Sequence, residues 1–100
     1  MHALVEEKRD ELAALCVKFG ARRLELFGSA VEAQGTIGDL DFLVDFEPSS
    51  SEGRGDRYFG LLEALESLFD MKVDLVESGA MKNPYFIRRV NESRRLLYAA

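Results

Sequence analysis

The chain has 100 residues, 47% of them hydrophobic, with a net charge of −5 and one cysteine. That length suits one domain, residues 1–100, with a core of its own and no need of covalent staples. The acidic balance disfavours a phosphate backbone as the main partner. Cys16 alone excludes an internal disulfide framework and any multi-Cys metal site, and no apolar run reaches membrane-spanning length. No signal-peptide pattern opens the chain, so the expected location is the cytoplasm.

Residues from about Ala3 to Phe19 carry helical periodicity, with Val5, Leu12, Leu15, Cys16 and Phe19 on one face and Gly20 as the stop. "RRLELF" alternates and predicts a strand, Leu24 and Leu26 on one side and Arg23, Glu25 and Phe27 on the other. Gly28-Ser29 turns into a short helix, roughly Ala30 to Gln34, closed by Gly35. "DLDFLVDF" predicts a second strand, with Leu40, Phe42, Val44 and Phe46 facing the core and Asp39, Asp41, Leu43 and Asp45 facing away. Glu47 to Asp56 is a polar Gly/Ser-rich loop. Arg57 to Phe69 predicts a helix with Asp56 as its N-cap, and "KVDLV" a third strand on which Asp74 opposes Val73 and Leu75. Asn83-Pro84 opens a last helix, expected to run to about Leu97 along Phe86, Val90, Ser93 and Leu97. The expected fold is an α/β (α+β) arrangement of one small three-stranded sheet backed by helices.

Asp39 and Asp41 lie about 6.7 Å apart along a strand and point the same way. Such a pair can share one metal ion, or divide two ions roughly 3.5–4 Å apart. Mg²⁺ suits it, taking a few carboxylates plus water and substrate phosphate oxygens. Asp45, about 13 Å beyond Asp41, is too far to join. Asp74 joins if its strand lies beside the second strand in register. Gly28 permits close backbone approach, and Ser29 begins a helix whose N–H groups suit an anion. A bare D-x-D is usually a pair of solvated acids; the Gly-Ser turn between apolar strands and the later "VDLV" favour phosphoryl or nucleotidyl transfer.

"FGSAVEAQGTIGDLDFLVDFEP" followed by "KVDLVE" resembles the minimal nucleotidyltransferase family of the DNA polymerase β-like superfamily, and the resemblance extends to the closing "NPYFIRRVNESRRLLYAA". It implies a mixed sheet, two Mg²⁺ ions and an NTP, with ATP as donor. Gly28 and Ser29 match the phosphate-contacting Gly-Ser, Asp39 and Asp41 the metal-binding pair, and Asp74 the third acid, so that all three acids take metal and catalytic roles. Members commonly act as antitoxins beside a HEPN-domain ribonuclease toxin, and some transfer AMP from ATP to a tyrosine of it. The sequence departs from the family in three places. Nine residues, not ten, separate Ser29 from Asp39; Gly38 stands where a Ser often precedes that Asp; and Glu32 stands where a basic residue is common.

Arg54 and Arg57 flank the Gly-rich loop, where solvation is the plain reading and closure over phosphates the sharper one. Arg88 and Arg95 are seven apart on one expected helical face, with Arg89 and Arg94 beside them, either solvated or facing an acidic partner or the nucleotide. Met71 and Met81 fit gap-filling. Little of the chain remains to build an acceptor pocket, so the expected acceptor is a macromolecule, and the acidic charge favours a protein over nucleic acid. The leading expectation is an adenylyltransferase antitoxin acting on a HEPN toxin. The alternatives are a catalytically weak binding module that silences the toxin by occlusion, and the catalytic subunit of a two-chain small-molecule nucleotidyltransferase. A homo-oligomer stays open.

Overall fold

The computed structural model describes residues 2–32, 38–48 and 54–100; for Ser29, Glu32 and Arg54 the backbone alone is described. The elements are α1 (Ala3–Glu6), α2 (Arg9–Phe19), β1 (Ala21–Phe27), α3 (Ser29–Glu32), β2 (Asp39–Phe46), α4 (Arg54–Phe69), β3 (Lys72–Glu77), a 3-10 turn (Ser78–Ala80), α5 (Pro84–Ser93) and β4 (Arg95–Ala99). The expected end of α3 at Gln34 and its stop at Gly35 lie outside the described residues, as does the middle of the Glu47–Asp56 loop.

Among the described residues the sheet has four strands in the order β3-β2-β1-β4. β1 pairs antiparallel with β2 and β4, while β2 and β3 run parallel. This mixed sheet matches the expected class and exceeds the expected three strands by one. The fourth comes from the segment expected to extend the last helix. α5 stops at Ser93 because Arg94 takes an extended backbone (φ −63°, ψ 138°). Residues 95–99 then satisfy the otherwise open edge of β1, with Leu97 buried. Each unpaired backbone group on such an edge needs a partner or water, which favours pairing over a further helical turn.

The expected helix from Ala3 to Phe19 is also divided. The His2 N–H donates to the Ala30 carbonyl, tying the amino end to α3, and the chain turns at Lys8 so that both Val5 and Leu12 stay buried. α2 ends as expected at Gly20, which adopts φ 73°.

The main core lies between α2 and α4 and one sheet face, built on Leu12, Cys16, Leu24, Leu26, Phe42, Leu61 and Leu65. α5 packs on the other face, where Val90 meets Phe27 and Leu43, with Val76, Met81 and Phe86 beside them. Its start is fixed by Asn83, whose Oδ1 accepts from the Tyr85 and Phe86 N–H groups, and by Pro84 in the first turn. Phe27 and Phe86 meet edge to face at 5.9 Å, which holds α5 across the end of β1.

Candidate active site

The strand register brings the acids together. Asp41 stands opposite Asp74 across the parallel β2–β3 pair, and opposite Phe27 across the antiparallel β1–β2 pair. Asp39, two residues earlier on the same face, pairs with Lys72 and is exposed. Asp45, at the far end of β2, is bound to Arg22 at 2.6 Å.

Gly28 follows Phe27 at φ 80°, and a Cβ there would stand 2.5 Å from Asp41 Oδ2. The backbone thus passes directly over the Asp41 carboxylate. The Gly28 N–H donates to Ser93 Oγ at 2.9 Å, and the Ser93 hydroxyl donates to the Arg89 carbonyl at 3.3 Å. Gly28→Ala is therefore expected to cost about 1–2 kcal/mol from the left-handed backbone alone. It should also displace Asp41, so that urea unfolding and Mg²⁺–nucleotide affinity both fall. A variant with unchanged affinity would separate Gly28 from the site.

These residues open on a cleft of about 610 Å³. Gly28, Asp41, Asp74, Arg89, Glu92 and Ser93 form its polar side, and Phe27, Val76 and Phe86 belong to its apolar wall. Tyr58 of α4 lines the cleft too and donates its hydroxyl to the Leu75 carbonyl, on the strand that carries Asp74. Of the proposed phosphate-binding pair, Gly28 is at the cleft; the Ser29 side chain lies outside the described residues, as does that of Glu32.

Ser93 lies on the expected inward stripe of α5, its bond to Gly28 being a tertiary contact, and of the basic cluster around Arg88 it is Arg89 that lines the cleft. Their spacing of four, on the face that carries Phe86 and Val90, was the available signal. Arg57 is not a phosphate clamp. Its Nη1 donates to the Glu47 carbonyl and its guanidinium covers the Phe46 ring at 4.9 Å, at the end of β2 remote from Asp39. The side chain of Arg54 lies outside the described residues. Arg88 and Arg95 do not share a helical face, because Arg95 belongs to β4.

Burial, then the charges of Asp39 and Asp74, push the Asp41 carboxyl up to about 6, against a smaller opposing pull from Arg89. The folded value exceeds the unfolded one, so the native state holds the proton more tightly, and stability falls as pH rises between the two values. At neutral pH the ionised site is a cost, reduced by its partial exposure to solvent. Asp41→Asn is expected to leave the metal-free protein unchanged or up to about 1–2 kcal/mol more stable at pH 7. Urea titration with EDTA checks it; unfolding of the variant would make Asp41 structural.

The donor set fits a hard cation. Asp41 and Asp74 offer oxygen ligands side by side, and Asp39 adds a third nearby. Among the described residues, no three acidic, His or Cys side chains are gathered closely enough to form a metal cage by themselves. That incompleteness suits Mg²⁺, which takes one or two carboxylates and completes its shell with water and substrate phosphates.

The nucleotidyltransferase domain family matches residues 9–97. The chain belongs to that family. A Methanocaldococcus jannaschii protein named as a candidate protein adenylyltransferase is 34% identical over 80 residues, 75% of each chain. A solved structure described as a candidate minimal nucleotidyltransferase shares 32% identity and a TM-score of 0.70, covering 90% of this chain and 89% of its own. The fold is also similar to that of a chain in a solved complex described as a tri-AMPylated Shewanella oneidensis HEPN toxin with an MNT antitoxin. That similarity has a TM-score of 0.66 at 18% identity, over 96% of this chain and 73% of the other.

Proposed function

We propose that this protein transfers AMP from ATP to a tyrosine hydroxyl of a HEPN-domain toxin, with Mg²⁺, and thereby acts as its antitoxin in the cytoplasm. The observation that carries the reading is the in-register pair of Asp41 and Asp74 beneath Gly28 at the mouth of a cleft. A relative named for protein adenylylation and a fold shared with an MNT antitoxin on an AMPylated toxin support the acceptor class. The net charge of −5 suits a protein acceptor better than a nucleic acid. Among the described residues, no helix is long and apolar enough to cross a membrane.

Asp39, Asp41 and Asp74 would hold the Mg²⁺, which supplies charge neutralisation at the phosphates when bound. Gly28 lets the donor phosphates approach the backbone without a side chain between them and Asp41. Asp74, on the neighbouring strand, would orient the acceptor hydroxyl and take its proton. The acceptor oxygen forms a bond to the α-phosphorus, the bond to the bridging oxygen breaks, and pyrophosphate leaves.

The test is co-expression with a HEPN-domain toxin and intact-mass measurement of both chains. One or more AMP units on the partner, absent with Asp39→Asn or Asp41→Asn, is the expected result. An unmodified partner silenced equally by wild type and both variants would replace the enzyme with an occluding module. In that case charge reversal at Arg88 or Arg95 should release the toxin.

A further inference from the structure

Resting on that reading, we infer that Arg89 is the phosphate-binding cation of the cleft, recognising the triphosphate of the donor from α5. The cleft is rich in negative charge: Asp41, Asp74 and Glu92 line it, and Asp39 stands two residues from Asp41 on the same face of β2. A triphosphate adds more, and a metal ion offsets only part of it. The position after the Gly-Ser turn supplies no cation, because residue 32 is Glu.

The other arginines whose side chains are described are committed elsewhere or stand outside. Arg9 is bound to Glu6, Arg22 to Asp45, Arg23 and Arg94 to Glu25, and Arg57 to the Glu47 carbonyl. Neither Arg88 nor Arg95 lines the cleft, and among the described residues Arg89 is its one basic residue. Its side chain shares the cleft lining with Asp41 and Asp74. No described carboxylate is within 4.0 Å of it, so its donors are not consumed by an ion pair.

Its backbone is fixed on the site. The Arg89 carbonyl accepts from the Ser93 hydroxyl, which itself accepts from the Gly28 N–H. The Arg89 backbone is thus linked by two hydrogen bonds, through the Ser93 hydroxyl, to the turn over which phosphates must pass. Arg presents a planar fork that matches two phosphate oxygens at once, whereas Lys acts as a point charge.

Calorimetry with ATP, ADP, AMP and adenosine, each with Mg²⁺, tests the assignment on wild type, Arg89→Ala, Arg89→Lys and Arg88→Ala. Arg89 is exposed, so Arg89→Ala should fold, which its thermal transition checks. The expected loss for ATP is about tenfold to a hundredfold. It should shrink through ADP and AMP and vanish for adenosine, with Arg89→Lys intermediate and Arg88→Ala like wild type. Equal ATP affinity in wild type and Arg89→Ala would overturn the assignment and leave the proposed reaction standing. A loss of the same size for adenosine would also overturn it, since Arg89 would then shape the cleft rather than bind phosphate. Absence of ATP binding in the wild type would remove the proposed reaction, and this assignment with it.

Discussion

Asp41→Asn should reduce AMP transfer at least about 10²–10³-fold, because charge stabilisation and positioning at the phosphates carry most of this chemistry. The substitution keeps size and shape, removes one charge, and leaves the β2–β3 register to the backbone. Binding of the protein partner should survive, so the loss should appear in the rate with little change in complex formation. A pH profile adds a second reading. With the metal-free carboxyl raised to about 6 by burial and by its two acidic neighbours, Asp41 carries a proton below that pH and competes poorly for a cation. Mg²⁺ and protons therefore compete, and raising Mg²⁺ should move the acid limb of activity downwards. The shift of that limb with Mg²⁺ should be absent from whatever activity Asp41→Asn retains. Transfer at wild-type rates by Asp41→Asn would remove the acid pair from catalysis. An acid limb insensitive to Mg²⁺ would assign that limb to another group.

The acids were legible in the sequence because their spacing is a backbone property. Alternation placed Asp39 and Asp41 on the face opposite Leu40 and Phe42, and "VDLV" offered Asp74 to that face once β3 lay beside β2. What escaped depends on tertiary pairing. Leu97 fits the helix stripe of Phe86, Val90 and Ser93 as well as a strand, and only the open edge of β1 decides between them. The apolar spacing from Val5 to Phe19 persists through the turn at Lys8, so periodicity gave no sign of it. Ser93 and Arg89 gain their meaning from the approach of α5 to Gly28, across 65 positions of sequence between Ser93 and Gly28. Glu25 looked like an ordinary polar residue of an alternating strand. It is the one buried charged residue among those described, at 3% exposure.

Arg94→Met is expected to destabilise the fold by about 3 kcal/mol, because it strands that buried carboxylate. Glu25 accepts from Arg94 through both oxygens, at 2.6 Å to Nη2 and 2.7 Å to Nε, and from Arg23 Nε at 2.9 Å. Arg23 is half exposed and cannot replace the bidentate partner. Hydrogen bonding from Arg94, followed by the contribution of Arg23, holds the Glu25 carboxyl below its ordinary value against the opposing effect of burial. The folded value lies below the unfolded one. The stabilisation is therefore present above the unfolded value and is lost as pH falls through the folded value. The gap between wild type and Arg94→Met should be widest near neutral pH and narrow in acid, which urea titrations at several pH values can follow. Replacing both partners, Glu25→Leu with Arg94→Met, should recover much of the loss, because removing both charges leaves no unpaired ion to bury. The pair also reaches the site. Arg94 follows Ser93 directly, so its bond to β1 helps hold the end of α5 against Gly28. Arg94→Met should then weaken nucleotide affinity even where the protein remains folded, and the double substitution should restore stability more fully than affinity. If the single variant is as stable as wild type across the pH range, Glu25 is solvated in solution and the pair does not anchor α5.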